Sequence, residues 1–299
     1  MELAIIGLGR MGADMTRRLM HGGHAPVVTD LSPDPVAELV EEGARGASSI
    51  AEAIAQLAAP RVVWCMVPSG DPTQQVIEQA LAAMAAGDVL VDGANSNWED
   101  SRRRAALAEE AGVLWLDAGV SGGVWGLEQG YNLMVGGHDD AFAIAKPILE
   151  TLAPTGGLVH VGPPGSGHFV KMIHNGIEYG LLQAYGEGFE ALATYPHHQL
   201  DLPAIAKLWT NGSVVRSWLL ELLADALHDD PRLDELKGYV NDSGMGRWTV
   251  DYAVAHAVPM PAVTAALYAR FASRETDSFA NRAIAALRNR FGGHKTKKA

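Results

Sequence analysis

The sequence predicts an α/β fold: a Rossmann-like, doubly wound sheet followed by an all-α C-terminal domain. Three observations predict it. Short apolar runs alternate with helical segments up to about residue 164, a glycine-rich turn follows the first run, and helical periodicity alone continues from Gly165 onwards. The Pro/Gly cluster GPPGS at 162–166 marks the expected boundary, giving domains of 1–164 and 165–299.

Leu3–Ile6 reads as a short buried strand, followed by GLGRMG at 7–12 and a periodic segment from Met11 to Met20. Strand, glycine turn and helix in that order are what a dinucleotide fold requires. Gly7 permits the tight turn, Gly9 lets the backbone approach a pyrophosphate, and Gly12 lets the helix pack closely. The amides at the helix start attract phosphate. His24–Thr29 is the second strand and ends at Asp30, 23 residues beyond Gly7. A carboxylate there can accept hydrogen bonds from an adenosine ribose and would repel a 2′-phosphate, which favours NAD over NADP. The alternative for Asp30 is a helix cap, since Asp30, Ser32 and Pro33 precede a helical segment.

Val62–Val67, Val89–Asp92 and Val113–Asp117 read as further buried strands, with helices near 72–85 and 99–110 between them. Tyr131–Val135 and Leu158–Val161 extend the sheet. In such a sheet, loops leaving the carboxyl ends of the strands form the ligand crevice. Three candidates stand there: MVPSGDP at 66–72, DGANSNWEDS at 92–101 and DAGVSGGVWG at 117–126. One alone could be a turn; three at successive strand ends point to a reaction pocket.

The second half reads as helices over 166–193, 203–210, 214–227, 247–256, 261–273 and 275–290. The first is the richest in chemistry. Lys171, Asn175 and Glu178 fall at i, i+4 and i+7, on one side of the helix, while Met172, Ile173, Ile177, Leu181 and Leu182 supply an apolar surface. Glycines at 176, 180, 186 and 188 each cost roughly 1 kcal/mol of helix propensity, which close approach of another backbone or a ligand would explain. Lys171 is either a surface lysine or a desolvated amine able to take a proton from a hydroxyl. Glu178 is either a solvated carboxylate or an acid toward a carbanion or enol. Asn175 can orient a hydroxyl or carboxylate with both a donor and an acceptor. His174 suits packing or substrate contact, and Tyr179 suits packing or donation to a phosphate. Arg247 and Arg270 are candidate anion ligands or surface charges; Arg270 ends the apolar run LYARF, where burial without an anion would be costly.

Composition narrows the function. Lys plus Arg number 23 against 35 Asp plus Glu, a net charge of −12, which argues against general nucleic-acid binding. Cys65 is the sole cysteine, so no intramolecular disulfide forms, and its place in VVWCMV suits a buried thiol. No run approaches the ~20 apolar residues that span a bilayer. Met1 opens directly onto a strand with no secretory signal, so a cytoplasmic protein without a membrane partner is expected. HKTKKA at the end reads as a basic tail, and no compact His/Asp/Glu cluster has metal-ligand spacing.

GLGRMG, WCMVPSG, DGANSNWEDS, VSGG, GSGHFVKMIHNGIEYG, SGMGRWTV and the terminal FGGH together span essentially the whole chain. In these segments the chain resembles the decarboxylating 6-phosphogluconate dehydrogenases, particularly their short form with a single helical domain. HFVKMIHNGIEYG is highly specific, whereas GxGxMG and VSGG are shared with the wider β-hydroxyacid dehydrogenase group. The resemblance implies that Lys171 is the general base and Glu178 the general acid. It implies substrate contacts from Asn95, Ser121, Gly122, Gly123, His174, Asn175, Tyr179 and Arg270, with Arg270 and Tyr179 on the 6-phosphate. His294 corresponds to a C-terminal histidine that enters a neighbouring subunit's site, so a homodimer or homotetramer is expected. The cofactor contacts implied are Gly7, Leu8, Gly9, Arg10, Met11, Gly12, Asp30, Met66, Val67, Pro68 and Asn95. Asp30 departs from the Asn-Arg-Thr cluster of NADP-specific relatives, so NAD is expected, with NADP a weaker cofactor. Ser243 and Met245 replace a lysine and a threonine of the long form, so those contacts are lost or taken over by Arg247.

The implied reaction oxidises 6-phospho-D-gluconate at C3 and releases CO2 to leave ribulose 5-phosphate. Two rivals stand beside it. An ordinary β-hydroxyacid dehydrogenase would keep Lys171 and VSGG without decarboxylating; Glu178, Tyr179 and the arginines speak against it. A non-catalytic dinucleotide-sensing protein would need no lysine–carboxylate pair.

Overall fold

The computed structural model describes residues 1–297, so the last two residues of HKTKKA lie outside the described residues. The chain divides into two compact units, Met1–His174 and the residues from Asn175 onwards.

Within the first unit the described strands are β1 (Glu2–Ile6), β2 (Ala25–Thr29), β3 (Arg45–Gly46), β4 (Val62–Cys65), β5 (Val89–Asp92), β6 (Leu114–Ser121), β7 (Asn132–Gly137) and β8 (Leu158–Gly162). They form one sheet in the order β3-β2-β1-β4-β5-β6-β7-β8. All neighbours are parallel except β6 and β7. Helices α1 (Arg10–His21), α2 (Pro33–Glu41), α3 (Ile50–Ala55), α4 (Asp71–Ala83), α5 (Trp98–Glu110), α6 (Gly126–Gln129) and α7 (Asp139–Leu152) connect them. Strand side chains alternate between two cores, as a sheet covered on both faces requires. Leu3, Ile5, Val62, Trp64, Val89 and Val91 enter one, and Ala4, Ile6, Val63 and Leu90 the other. β1 lies between β2 and β4, so strand order reverses there, and the carboxyl ends of β1 and β4 flank the crevice expected at such a switch.

Several boundaries differ from the sequence reading. The strand expected over Val62–Val67 ends at Cys65, and Met66 instead donates its N–H to the Ile6 carbonyl at 2.8 Å. The strand expected to stop at Asp117 continues to Ser121, so DAGVS is not loop; antiparallel pairing with β7 carries it on. β3, α3 and α7 were not anticipated: β3 has two residues, α3 six, and α7 contains Pro147.

Helix α8 (Ser166–Ala193) begins in the first unit and continues into the second. The second unit adds α9 (Leu202–Trp209), α10 (Trp218–Asp229), α11 (Met245–Ala255), α12 (Pro261–Ala272) and α13 (Phe279–Gly292). Phe189, Leu202, Ala206, Leu220, Ala224 and Leu227 form its main core, and Tyr179, Ala266 and Leu267 a smaller one. α10 starts at Trp218 rather than 214 because Ser217 caps it, its hydroxyl accepting from the Leu220 N–H at 3.2 Å. α13 starts at Phe279 rather than 275 and buries none of its residues. The apolar surface expected of α8 is covered only in part: Met172 is buried, while Ile177 is 56%, Leu181 42% and Leu182 39% exposed. Among the described residues no helix is long and apolar enough to cross a membrane.

Candidate active site

The glycine turn, the end of β2 and the loop after β4 converge on a cavity of about 580 Å³. Gly7, Leu8, Gly9, Asp30, Met66, Val67 and Pro68, all expected cofactor contacts, line it. Gly7 has φ +94°, and a methyl on it would lie 2.5 Å from the Met66 carbonyl oxygen, so both conformation and space demand glycine. A methyl on Gly12 would lie 2.0 Å from the Gly7 carbonyl oxygen, which is the close helix packing expected of it. At Gly9 a methyl would meet no protein atom within 4 Å. The protein itself therefore gives no steric reason for glycine there, whereas a ligand laid against the backbone would. Arg10, Met11 and Gly12 do not line the cavity: Arg10 is exposed, Met11 packs on the core and Gly12 is buried.

Asp30 is not a helix cap. Ser32 occupies the N-cap position of α2. The Asp30 carboxylate accepts the Leu8 N–H at 2.6 Å and the Ser32 N–H at 2.9 Å, pinning the glycine turn to the end of β2. Each oxygen keeps a second lone pair for a ribose hydroxyl. No Arg or Lys stands between Thr29 and Val36, where Asp30 and Asp34 are the charged residues. That segment suits a free ribose better than a 2′-phosphate. Ser48, Ser49 and Gln75 also line the cavity. Their only mark in the sequence is the SS pair before IAEAI, a helix-start signal: Ser49 caps α3, accepting from the Glu52 N–H.

Asn95 stands at φ +52°, a left-handed conformation unusual outside glycine. Its side-chain amide donates to the Val120 carbonyl at 3.1 Å and accepts the Val120 N–H at 2.9 Å. One N–H and one lone pair remain for a ligand. The same contact joins the loop after β5 to β6 just before Ser121. Gly122 (φ +136°) and Gly123 (φ +53°) then turn the chain, leaving Val124 and Trp125 exposed.

Lys171 lies in the second turn of α8 and is 4% exposed, which discards the surface-lysine reading. Its stem packs against β6: a methyl on Gly119 would lie 2.5 Å from the Lys171 Cβ and 2.8 Å from the Gly167 carbonyl oxygen. Gly167 in turn meets Asp117 and Gly136, whose backbone atoms would stand 2.2 and 2.6 Å from a methyl there. Three glycines thus let the start of α8 lie directly on the sheet. Asp117, wholly buried on β6, fixes that start by accepting the Gly165 N–H at 2.6 Å and the His168 N–H at 2.9 Å. A carboxylate at a helix N-terminus satisfies otherwise orphaned donors and complements the dipole. Nothing in the sequence distinguished Asp117 from a strand-end aspartate, because its role depends on a helix 50 residues away.

In the second unit, Asn175 and Glu178 are half-buried on α8 and Tyr179 is buried; His174 closes the first unit, half-buried. Tyr179 Oη accepts the Ser243 N–H at 3.2 Å, so its own proton stays available for donation. The Arg270 guanidinium lies over the Tyr179 ring, 3.4 Å from its centroid, and donates to the Asn241 carbonyl at 3.1 Å. Arg247 pairs with Asp242 at 2.8 and 3.0 Å, and Arg274 with the same carboxylate at 3.0 Å. Both lean on the Phe271 ring, at 4.5 and 5.2 Å. The Arg247 guanidinium, aided by Arg274 against the cost of burial, holds the Asp242 carboxyl well below the usual carboxylate range. Two arginines therefore share one carboxylate, and a third, Arg270, stacks on the tyrosine whose hydroxyl meets the Ser243 N–H. Arg274 has no mark in the sequence: it falls at the one-residue gap between the helices expected over 261–273 and 275–290, and its partner Asp242 lies 32 residues away. His294, following α13, is exposed and packs on Phe291 of its own helix.

Family models match nearly the whole chain. One described as the NAD binding domain of 6-phosphogluconate dehydrogenase covers residues 2–162, and one described as the 6-phosphogluconate dehydrogenase C-terminal domain covers residues 167–298. An NAD(+)-dependent, decarboxylating 6-phosphogluconate dehydrogenase of Haloferax volcanii is 43% identical over 297 residues, covering 98% of each chain. A Bacillus subtilis protein named provisionally as a 6-phosphogluconate dehydrogenase is 40% identical over 298 residues and covers 100% of both. The solved structure of Plasmodium falciparum 6-phosphogluconate dehydrogenase, described with NADP+ and with 6-phosphogluconate, superposes with a TM-score of 0.85 at 29% identity, covering 98% of this chain and 65% of that one.

Proposed function

The chain belongs to the 6-phosphogluconate dehydrogenase family of oxidoreductases, and we propose that it oxidises and decarboxylates 6-phospho-D-gluconate to D-ribulose 5-phosphate and CO2 with NAD as the hydride acceptor. The observation that carries this reading is a buried amine, Lys171, held against the sheet by Gly119, with Glu178 two turns along the same helix.

Residues of the cavity fit the dinucleotide: an open face at Gly9, a carboxylate at Asp30 for the ribose, and Met66–Pro68 opposite. When bound there, NAD supplies an acceptor for the hydride leaving C3. Lys171, neutral at the outset, takes the C3 hydroxyl proton as that carbon is oxidised. The resulting 3-keto acid carries its carboxylate β to the carbonyl. Lys171 returns its proton to the carbonyl oxygen as the C1–C2 bond breaks, CO2 leaves, and the bond's electrons form an enediol across C2 and C3, which are C1 and C2 of ribulose 5-phosphate. Glu178 then protonates C1 of ribulose 5-phosphate as the enediol becomes the ketone. Asn95, Ser121, Gly122, Gly123, His174 and Asn175 orient the sugar acid's hydroxyls and carboxylate.

The 6-phosphate goes to Tyr179 and Arg270, supported by Arg247 and Arg274. Those two guanidinium groups stand in for the lysine that Ser243 replaces, and the cluster keeps a net charge of +2 beyond Asp242. A homo-oligomer is part of the same reading. A methyl on Gly180, Gly186 or Gly188 would meet nothing within 4 Å in this chain, and Phe279, Leu287 and Phe291 of α13 are 76%, 64% and 79% exposed. A second copy covers those surfaces and receives His294; a monomer by sedimentation at micromolar concentration would contradict this.

The deciding experiment is a substrate panel in which reduced cofactor and released CO2 are counted together. 6-Phosphogluconate should yield one CO2 per NADH. Faster turnover of an unphosphorylated β-hydroxyacid, with NADH but no CO2, would overturn the assignment.

A further inference from the structure

The helix α5 begins WEDSRRR, and of its three consecutive arginines Arg102 and Arg103 are exposed while Arg104 is 1% exposed. A charge run of this kind usually solvates a helix face; here its last member points into the protein. Every nitrogen of its guanidinium is engaged, and the partners come from two different strand–helix connections, the one from β4 into α4 and the one from β5 into α5. Nε donates to Gln74 Oε1 at 3.0 Å and Nη2 to the Gly70 carbonyl at 2.9 Å. Nη1 donates to Asp92 Oδ2 at 3.2 Å and to Ser96 Oγ at 2.9 Å. Gly70 ends the loop after β4, and Gln74 lies on α4. Asp92 and Ser96 bracket the loop after β5.

That second loop is tightened further. Asp92, wholly buried, accepts the Ser96 hydroxyl at 2.9 Å and the Ala94 N–H at 3.0 Å. Asn95, between them, is held in its left-handed conformation with its amide on Val120. A chain of contacts thus runs from the loop after β4, through Arg104, to the loop after β5 and on to β6. As a stabilising device a buried ion pair is weak, since apolar side chains of the same volume often serve as well. Its forked geometry is suited to fixing the register of the groups it joins.

We propose that Arg104 is a positioning residue: it clamps the loops ending β4 and β5 so that Asn95 and the Met66–Pro68 segment present a fixed surface to the nicotinamide half of the cofactor and to the substrate. The proposal rests on the cofactor and substrate reading above. It makes the adenosine half, which meets Asp30 and the glycine turn, independent of Arg104.

The test uses the full-length protein with Arg104→Lys, which keeps the charge and loses the fork, and Ser96→Ala, which removes one brace without stranding a charge. ADP-ribose binding reports the adenosine half, NADH fluorescence titration reports both halves, and steady-state turnover of 6-phosphogluconate reports the reaction. Arg104→Lys should leave ADP-ribose affinity within 2-fold, weaken NADH at least 5-fold and lower kcat at least 10-fold at an unchanged melting midpoint, with smaller changes in the same order for Ser96→Ala. Equal loss of ADP-ribose and NADH affinity, or no loss of either with unchanged kcat, overturns the proposal. If Arg104→Lys does not fold, Ser96→Ala decides by the same pattern. If the parent protein does not turn over 6-phosphogluconate, the substrate reading fails, and the ratio of NADH to ADP-ribose affinities still decides this one.

Discussion

The Lys171 Cβ faces Gly119 so closely that a methyl on residue 119 would lie 2.5 Å from it. Gly119→Ala must therefore push the start of α8 away from β6. Overpacking of this kind costs about 1–3 kcal/mol. A melting midpoint lowered by several degrees together with a kcat reduced at least ~10-fold is expected, since small misplacements of a reacting group are costly. A variant with lowered stability and unchanged kcat would mean that Lys171 does no chemistry.

Lys171→Ala should remove the base and lower kcat by ~10²-fold or more with the fold retained, as read by circular dichroism. Glu178→Gln should slow ketonisation, so that the enediol accumulates or takes its proton from solvent without stereochemical control. Deuterium at C1 of the product, measured in D2O by NMR, separates the two roles. Stereospecific labelling at the parental rate in the glutamine variant would remove Glu178 from the mechanism.

Asp30→Ala removes a carboxylate that accepts the Leu8 N–H at 2.6 Å and faces the cavity. Losing charge-assisted hydrogen bonds of this kind costs about 1.5–3 kcal/mol, or roughly 10–150-fold in NAD affinity. NADP should lose less, because a repulsive charge goes too. An unchanged ratio of kcat/KM for NAD and NADP would contradict the ribose role.

Arg270→Lys keeps a charge but loses the planar stack on Tyr179 at 3.4 Å. KM for 6-phosphogluconate should rise at least ~5-fold while KM for NAD stays put. Arg274→Ala should act in the same direction, more weakly, by leaving Asp242 to Arg247 alone. Parental KM values in both would place the phosphate elsewhere.

Asp242 also makes the helical unit acid-sensitive. Its folded-state carboxyl titrates below the ordinary value, chiefly because Arg247 holds it, so the ionised form favours folding. That stability is present in full above about pH 4, the unfolded carboxyl's value, and is lost as pH falls through the lower folded value. Asp242→Asn should lower the melting midpoint at pH 7, with the difference shrinking below about pH 4. A constant difference from pH 7 to pH 2 would rule out linkage at this residue.

The parts of the site legible in advance were those written in contiguous residues. GLGRMG placed after a strand, and KMIHNGIE on a helix, carry their geometry in their own spacing, because a turn and a 3.6-residue period are local properties. Legible too were the strands of alternating β and α, whose two-sided burial shows as unbroken apolar runs such as VVWC and VLVD. β3 escaped because two residues carry no period, and α7 because Pro147 interrupts a helical pattern. Asp117, Arg104 and Arg274 escaped for another reason: each looks like an ordinary polar residue until its partners arrive from elsewhere in the chain.

By itself the sequence determined the class of fold, the order of its elements, the glycine turn and the helix bearing Lys171 and Glu178. Tertiary structure alone decided that Lys171 is buried, that Asp30 pins the glycine turn rather than capping a helix, and that Asp242 draws Arg247 and Arg274 together. Periodicity and turn chemistry act over a few residues and are read from neighbours in the chain. Burial, charge pairing and close approach depend on which distant segments the fold brings within a few ångströms, and no local pattern records that.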